Sequence, residues 1–265
     1  MTGAPGVPVE RNVVVGDDLA ALRSWTSEVQ AWPAGSHRWG HYAERTSAGE
    51  VVCRTENVSA CHDGVARLVT GPLAALARAA MGAEVVDFKD KINYKQPGGA
   101  GFAAHQDLRA YPGLGRVVSI LVAIDACSTA SGCVWLAPGV EELLPTDSRG
   151  VVVDKAVASL SWEPVELAPG DAVVLDGLAP HYSEANHSAE QRRVLVASYA
   201  PATEGYGRDH YYRARASHID ADRARDGRFR ISTLADFEGV EVEGSASTAS
   251  EHCWHDGRVA HRPPA

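Results

Sequence analysis

Between residues 84 and 201 the chain is a succession of short apolar runs cut apart by Gly and Pro, which leaves no room for long helices. Short strands joined by turns bury their apolar faces by stacking two sheets or closing a barrel. The spacing predicts strands near 85–94, 101–107, 116–125, 132–137, 151–154, 164–168, 171–176 and 192–200. The expected class is mainly β with flanking helices, built as a sandwich, barrel or jelly roll.

The flanks read differently. Asp17 and Asp18 are placed to cap a helix running to about Gln30, with Leu19, Leu22 and Trp25 on one face. The first 15 residues before it read as a loose lead-in, and residues 32–60 as loop with short strands. A second helical stretch is expected from about Asp63 to Met81, interrupted at Gly71-Pro72 and stopped by Gly82. After Pro201, HYYRARASHIDADRARDGR is polar and helix-like, whereas GSASTASEHCWHDGRVAHRPPA is expected to hold little fixed structure. A length of 265 residues suffices for a self-supporting core. We expect one domain over 1–265, with a helical part at 17–82, the β core at about 84–201 and a C-terminal helix and tail at 202–265.

Composition excludes several classes. With 34 Asp+Glu against 25 Lys+Arg the formal charge is −9, which argues against nucleic acid as a partner. The N-terminus shows no basic stretch followed by an apolar one, so no signal peptide is expected. The most apolar run, Val117 to Ile124, is far below the ~20 residues that a membrane helix needs. The five cysteines (Cys53, Cys61, Cys127, Cys133, Cys253) are odd in number and form no C-x-x-C pair, as expected of reduced thiols in the cytoplasm. A small molecule is the partner this leaves, with oligomeric state open.

The chemistry is carried by His105-Gln106-Asp107, at the end of a predicted strand. On a strand, residues i and i+2 point to one face, so His105 and Asp107 can aim at a common point. With a second imidazole they make the facial triad that suits non-haem Fe(II) and leaves three coordination positions free. His181, just beyond the apolar run Ala172–Leu175, is the best source of that imidazole. A competing pair, His218 and Asp220, lies in helix-like sequence, where i and i+2 diverge by about 200°. Arg192 follows His181 by eleven residues, and Ser183 follows it by two. A guanidinium fork and a hydroxyl can hold the far carboxylate of a dicarboxylate cosubstrate. Strand alternation allows only one of Arg192 and Arg193 to point inward.

The segments KINYKQPGGAGFAAHQD, SGCVWLAPG and DGLAPHYSEANHSAEQRRVLVASY resemble the phytanoyl-CoA dioxygenase family of Fe(II)/2-oxoglutarate oxygenases. The likeness covers roughly residues 84–201 and is similar in flavour to bacterial small-molecule hydroxylases, such as aminoethylphosphonate dioxygenase and ectoine hydroxylase. It implies a double-stranded β-helix (jelly-roll, cupin-like) core and His105, Asp107 and His181 as iron ligands. It also implies Arg192 and Ser183 as the clamp on 2-oxoglutarate, with Asn93 and Phe102 lining the cosubstrate pocket. The implied activity uses Fe(II), 2-oxoglutarate and O2 to hydroxylate a small polar metabolite or natural-product intermediate, releasing succinate and CO2. A catalytically silent jelly-roll binding protein, or an iron oxygenase that does without 2-oxoglutarate, are the competing classes.

Other residues admit two readings each. Trp135 is core packing or a wall of the site. Lys89, Lys91 and Lys95 alternate along one strand face, where solvated charge is the default and contact with an anionic substrate or the cosubstrate is the functional alternative. Arg109 and Tyr111 continue the His105–Asp107 strand and are placed to border its opening. His187 and His210 read as exposed loop residues, and His252, His255 and His261 as part of the tail.

Overall fold

The computed structural model describes residues 7–33, 38–46, 49–227, 230–232 and 234. In chain order these form β1 (Val9–Glu10), α1 (Gly16–Gln30), β2 (Gly40–Thr46), β3 (Gly49–Glu56), α2 (Asp63–Leu68) and α3 (Ala74–Met81). Then come β4 (Val85–Lys95), β5 (Phe102–His105), β6 (Val118–Ala123), β7 (Val134–Leu136) and α4 (Asp154–Val157). The remainder is β8 (Glu163–Val165), β9 (Ala172–Asp176), β10 (His181–Ser183), β11 (Arg192–Pro201) and α5 (Arg208–Asp226).

The strands pair antiparallel in two sheets, of order β1-β9-β6-β11-β4-β3-β2 and β5-β10-β7-β8. This is a mainly β, jelly-roll architecture with helices at its flanks. The large sheet is apolar on both faces at its centre, which is why β6 reads VSILVA without a polar alternation and is buried throughout. Ile120, Val122, Leu195, Ala197 and Tyr199 face α1–α3 and pack with Leu22, Val29, Val65 and Leu73. Leu121, Ala123, Val194 and Val196 face the small sheet and pack with Leu136, Val165 and Leu175. The period of two therefore assigns each strand residue to one core or the other.

Several expectations are corrected. Val9 and Glu10 are not a loose lead-in but an edge strand on β9, fixed by Arg11 and the Asn12 N–H on Asp171. Asp17 and Asp18 do not cap α1. Val15 holds that position, and the two carboxylates lie in the first turn, where the helix dipole favours them. Residues 32–60 hold two long strands, β2 and β3, that extend the large sheet. The 151–154 strand is absent: Asp147 takes the N–H groups of Arg149 and Val151, bends the chain, and leaves Val152 as an isolated bridge before α4. The break at Gly71-Pro72 is a π-turn over Val69–Leu73, and Gly82 ends α3 at φ +65°. The tail, with His252, Cys253, His255 and His261, lies outside the described residues.

Candidate active site

His105 and His181 are directly opposite each other on the paired strands β5 and β10, with ring centroids 4.3 Å apart. Each ring is fixed by the backbone two residues earlier: Nδ1 of His105 donates to Ala103 O at 2.8 Å and Nδ1 of His181 to Ala179 O at 3.0 Å. A carbonyl oxygen only accepts, so both protons sit on Nδ1 and both Nε2 lone pairs are free for a metal. The two Nε2 atoms lie 3.7 and 3.9 Å from Oδ1 of Asp107. One donor atom from each of the three residues falls within 4.8 Å of the others.

The strand stops at His105, and Asp107 opens a 3-10 turn, Asp107–Ala110. Gln106 stays extended (φ −121°, ψ 123°), so the same-face relation of i and i+2 survives past the strand end. Ser119 donates to Oδ2 of Asp107 at 3.2 Å and leaves Oδ1 toward the imidazoles. Burial and the neighbouring His181 push His105 down to about 3, so the ring is neutral and ready to ligate. Burial opposes the charge on Asp107, but His181, His105, Lys91 and Lys89 outweigh it and hold the carboxyl below the usual carboxylate range.

The triad opens on a cavity lined by Asn93, Lys95, Phe102, Ser183 and Arg192. Arg192 is 5% exposed; its Nη2 donates to Gly132 O at 2.8 Å, and its Nε is buried without a partner. Lys95 Nζ donates to Ser183 Oγ at 2.9 Å and to the same Gly132 carbonyl at 3.3 Å. Two cations that share one carbonyl, with an unspent N–H between sheets, fit a carboxylate. Asn93 Oδ1 accepts from Arg54 Nε at 3.0 Å, and Phe102 lies 5.8 Å from the His105 ring.

Lys89, Lys91 and Tyr111 also line the cavity, so the lysines are not solvated strand charge. Trp135 and Arg109 do not line it. Trp135 stacks on Tyr182 at 5.8 Å, because β7 turns Val134 inward and its neighbour outward. Arg109 donates to Leu144 O at 2.6 Å and borders a neighbouring pocket, because the 3-10 turn rotates it off the strand line. His218 lies on α5, 3.6 Å from Asp222, and His187 is exposed. The sequence reading missed Arg54, Glu44, Ser232 and Leu234, which all line the cavity. The signal for Arg54 was its inward register opposite Asn93.

Two facing histidines and one carboxylate inside a jelly roll define a mononuclear non-haem iron oxygenase. The profile of the phytanoyl-CoA dioxygenase (PhyH) family matches residues 4–194, and the chain belongs to that family. It is 37% identical over 226 residues to a methylphosphonate hydroxylase of Gimesia maris, covering 84% of this chain and 87% of that protein. It is 36% identical over 211 residues to a 2-aminoethylphosphonate dioxygenase of an uncultured bacterium, covering 77% and 80%. Among solved structures, the epimerase SnoN from nogalamycin biosynthesis, in complex with Fe3+, alpha ketoglutarate and nogalamycin RO, aligns with a TM-score of 0.63 at 22% identity. That alignment covers 74% of this chain and 78% of SnoN and shows the shared fold. The chain is an Fe(II)/2-oxoglutarate-dependent dioxygenase.

Proposed function

We propose that His105, Asp107 and His181 hold the iron, that Arg192 and Ser183 hold the far carboxylate of 2-oxoglutarate beside Asn93 and Phe102, and that the substrate is a small phosphonate hydroxylated at a C–H bond. The observation that carries this reading is buried Arg192, which lines the same cavity as the three metal-ligating side chains and keeps its Nε without a partner. The phosphonate class is supported by the names of the relatives that match most of the chain.

Bound iron and 2-oxoglutarate would supply the oxidising chemistry, with O2 consumed and succinate and CO2 released. The chain contributes orientation and electrostatics. The Ala103 and Ala179 carbonyls fix the orientation of both imidazoles through Nδ1, and Ser119 fixes the carboxylate. Arg192 supplies a buried cation at one end of the cavity. Lys91 faces the cavity as a candidate substrate residue; Lys95, on the sequence another candidate, stands with Ser183 at the Arg192 end, and Arg109 and Trp135 lie off the lining. We read 1–265 as a single cytoplasmic oxygenase domain, in keeping with free thiols at Cys53, Cys61, Cys127 and Cys133.

The test is succinate release from Fe(II), 2-oxoglutarate, ascorbate and O2, with and without methylphosphonate or 2-aminoethylphosphonate. The expected result is stimulation by one of them with a hydroxylated product. Iron- and 2-oxoglutarate-loaded protein that neither phosphonate stimulates would reject the substrate class. A protein that binds no 2-oxoglutarate would reject the cosubstrate site.

A further inference from the structure

The cavity has a second cationic end, which neither the triad nor the cosubstrate clamp uses. Alternation along β4 turns Lys89, Lys91, Asn93 and Lys95 all inward, and only Lys95 reaches Ser183 and Gly132. At the other end Lys89 Nζ donates to Tyr111 Oη at 3.2 Å and lies 5.5 and 5.1 Å from the ring centres of Tyr111 and Tyr211. Lys91 pairs in register with Glu56 on β3, and Arg54 with Asn93. Arg54 is 4% exposed; it donates to Asn93, to Glu56 at 3.4 Å and to Ile231 O at 2.9 Å. Arg215 sits behind this group and donates to the same Ile231 carbonyl at 2.8 Å. Ser232 and Leu234, just beyond Ile231, complete the lining.

Among the described residues, Glu56 is the carboxylate set among these four cations, and Asp107 is committed to the metal. The wall therefore carries a surplus of more than one positive charge away from water. Burying unpaired charge is unfavourable, and an anion of matching charge offsets it. Burial, Arg54 and Lys89 together push the Lys91 ammonium well down from its ordinary value, as expected of a cation lacking its counter-ion. A phosphoryl-type group carries roughly two negative charges near neutrality, against one for a carboxylate or sulfonate.

We propose that Lys89, Lys91 and Arg54 form a dianion subsite that holds the phosphonate group of the substrate and turns its neighbouring carbon toward His105, Asp107 and His181. The proposal rests on the phosphonate reading above for its ligand, but it makes a separate claim about which residues bind and which charge they select.

The test is calorimetric titration of the Fe(II)-loaded protein without O2, using methylphosphonate, methanesulfonate and inorganic phosphate as probes in the presence of 2-oxoglutarate, and 2-oxoglutarate itself alone. Lys91→Met and Lys89→Met are the variants, with Lys91→Arg as the conservative control. Removing one charge from a surplus leaves the fold intact, and thermal melting checks this. The expected result is that Lys91→Met weakens methylphosphonate and phosphate by at least about 30-fold while 2-oxoglutarate stays within a few fold. Lys91→Arg recovers most of the loss, and the wild type prefers methylphosphonate to methanesulfonate. Equal weakening of phosphate and 2-oxoglutarate, or no preference for the dianion, would overturn the subsite. Phosphate binding that depends on Lys91, without turnover of any phosphonate, supports the subsite and removes the substrate reading. Phosphonate turnover untouched in both methionine variants does the reverse.

Discussion

Arg192 and Arg193 are consecutive on β11 and are used in opposite ways. Arg193 closes a two-pronged ion pair on Asp125, Nε to Oδ2 at 2.7 Å and Nη2 to Oδ1 at 2.9 Å, and reaches Ser27 on α1. Arg192 turns inward, is bonded to Gly132 O, and keeps its Nε unspent. Losing one partner of a buried, hydrogen-bonded charge pair costs roughly 2–5 kcal/mol. Arg192→Ala is expected to raise the requirement for 2-oxoglutarate by at least about 30-fold with Fe(II) binding preserved. Lys at that position rescues poorly, since an ammonium lacks the fork. Arg193→Ala is expected instead to lower stability by about 1–3 kcal/mol and to move the 2-oxoglutarate requirement only a few fold. Steady-state titration of both variants checks the assignment, and the opposite ranking would reverse it.

The metal ligands are separable from the spare histidines. His181 is buried beside His105, whereas His187 is exposed and is not among the residues that line the cavity. His181→Ala is expected to abolish Fe(II) retention and turnover, and His187→Ala to leave both unchanged. Asp107→Gly removes the charge that balances the metal and is expected to abolish hydroxylation. Iron content after desalting is the measurement; full occupancy in His181→Ala would dismiss the triad.

The triad was legible because its chemistry is written locally: an H-x-D at a strand end and a histidine just past an apolar run. Gln106 remains extended, so the same-face argument holds although the strand has already ended. For the arginines, period-two alternation lets only one of Arg192 and Arg193 turn inward, and the eleven-residue spacing to His181 with the family resemblance picked Arg192. The substrate side was not legible. On β2–β4 the positions facing the cavity carry Glu44, Arg54, Lys89 and Lys91, with Glu56 buried beside Arg54, residues that a sequence pattern assigns to solvent. Charge turned inward erases the alternation by which a half-buried strand is recognised, so β2 and β3 read only as short strands within loop. Trp135, left open between core packing and a wall of the site, and Arg109, expected at its border, lie off the cavity lining for a different reason. β7 is three residues long, and the chain after Asp107 turns, so one residue of offset reverses a side chain.

Lys95 is expected to make cosubstrate binding depend on pH. Burial, and after it the charge of Arg192, pushes its ammonium down to about 7, against an ordinary lysine near 10.4. Between these values the folded chain holds fewer protons than the unfolded one, so this group's contribution to stability rises with pH across that window. A bound carboxylate favours the charged form, and binding is therefore strongest below about pH 7 and weakens as pH rises through it. The dissociation constant of 2-oxoglutarate, measured from about pH 6 to about 9, is expected to increase in the wild type and to stay nearly flat in Lys95→Met. Parallel curves would remove Lys95 from the cosubstrate end.

Gln106, between the two ligands, is fully buried and faces away from the metal, yet it ties the site together. Its Nε2 donates to Glu142 O at 2.8 Å and to Leu178 O, and its Oε1 accepts from Leu144 N at 2.8 Å. The Leu178 bond joins the segment carrying Asp107 to the turn that delivers His181. Gln106→Leu conserves volume but leaves two carbonyls and one N–H unpaired in the interior, which costs about 2–5 kcal/mol in total. In a chain of this length that lowers Tm by roughly 5–15 °C. Because the two ligand segments lose their shared anchor, Fe(II) affinity is expected to fall with Tm, although no ligand has been touched. Gln106→Glu keeps the acceptor for Leu144 but loses both donors and buries a charge, so it is expected to be no better than Leu. Melting curves combined with Fe(II) titration decide the point: a lower Tm with unchanged iron affinity would make Gln106 a packing residue only, with no part in positioning Asp107 against His181.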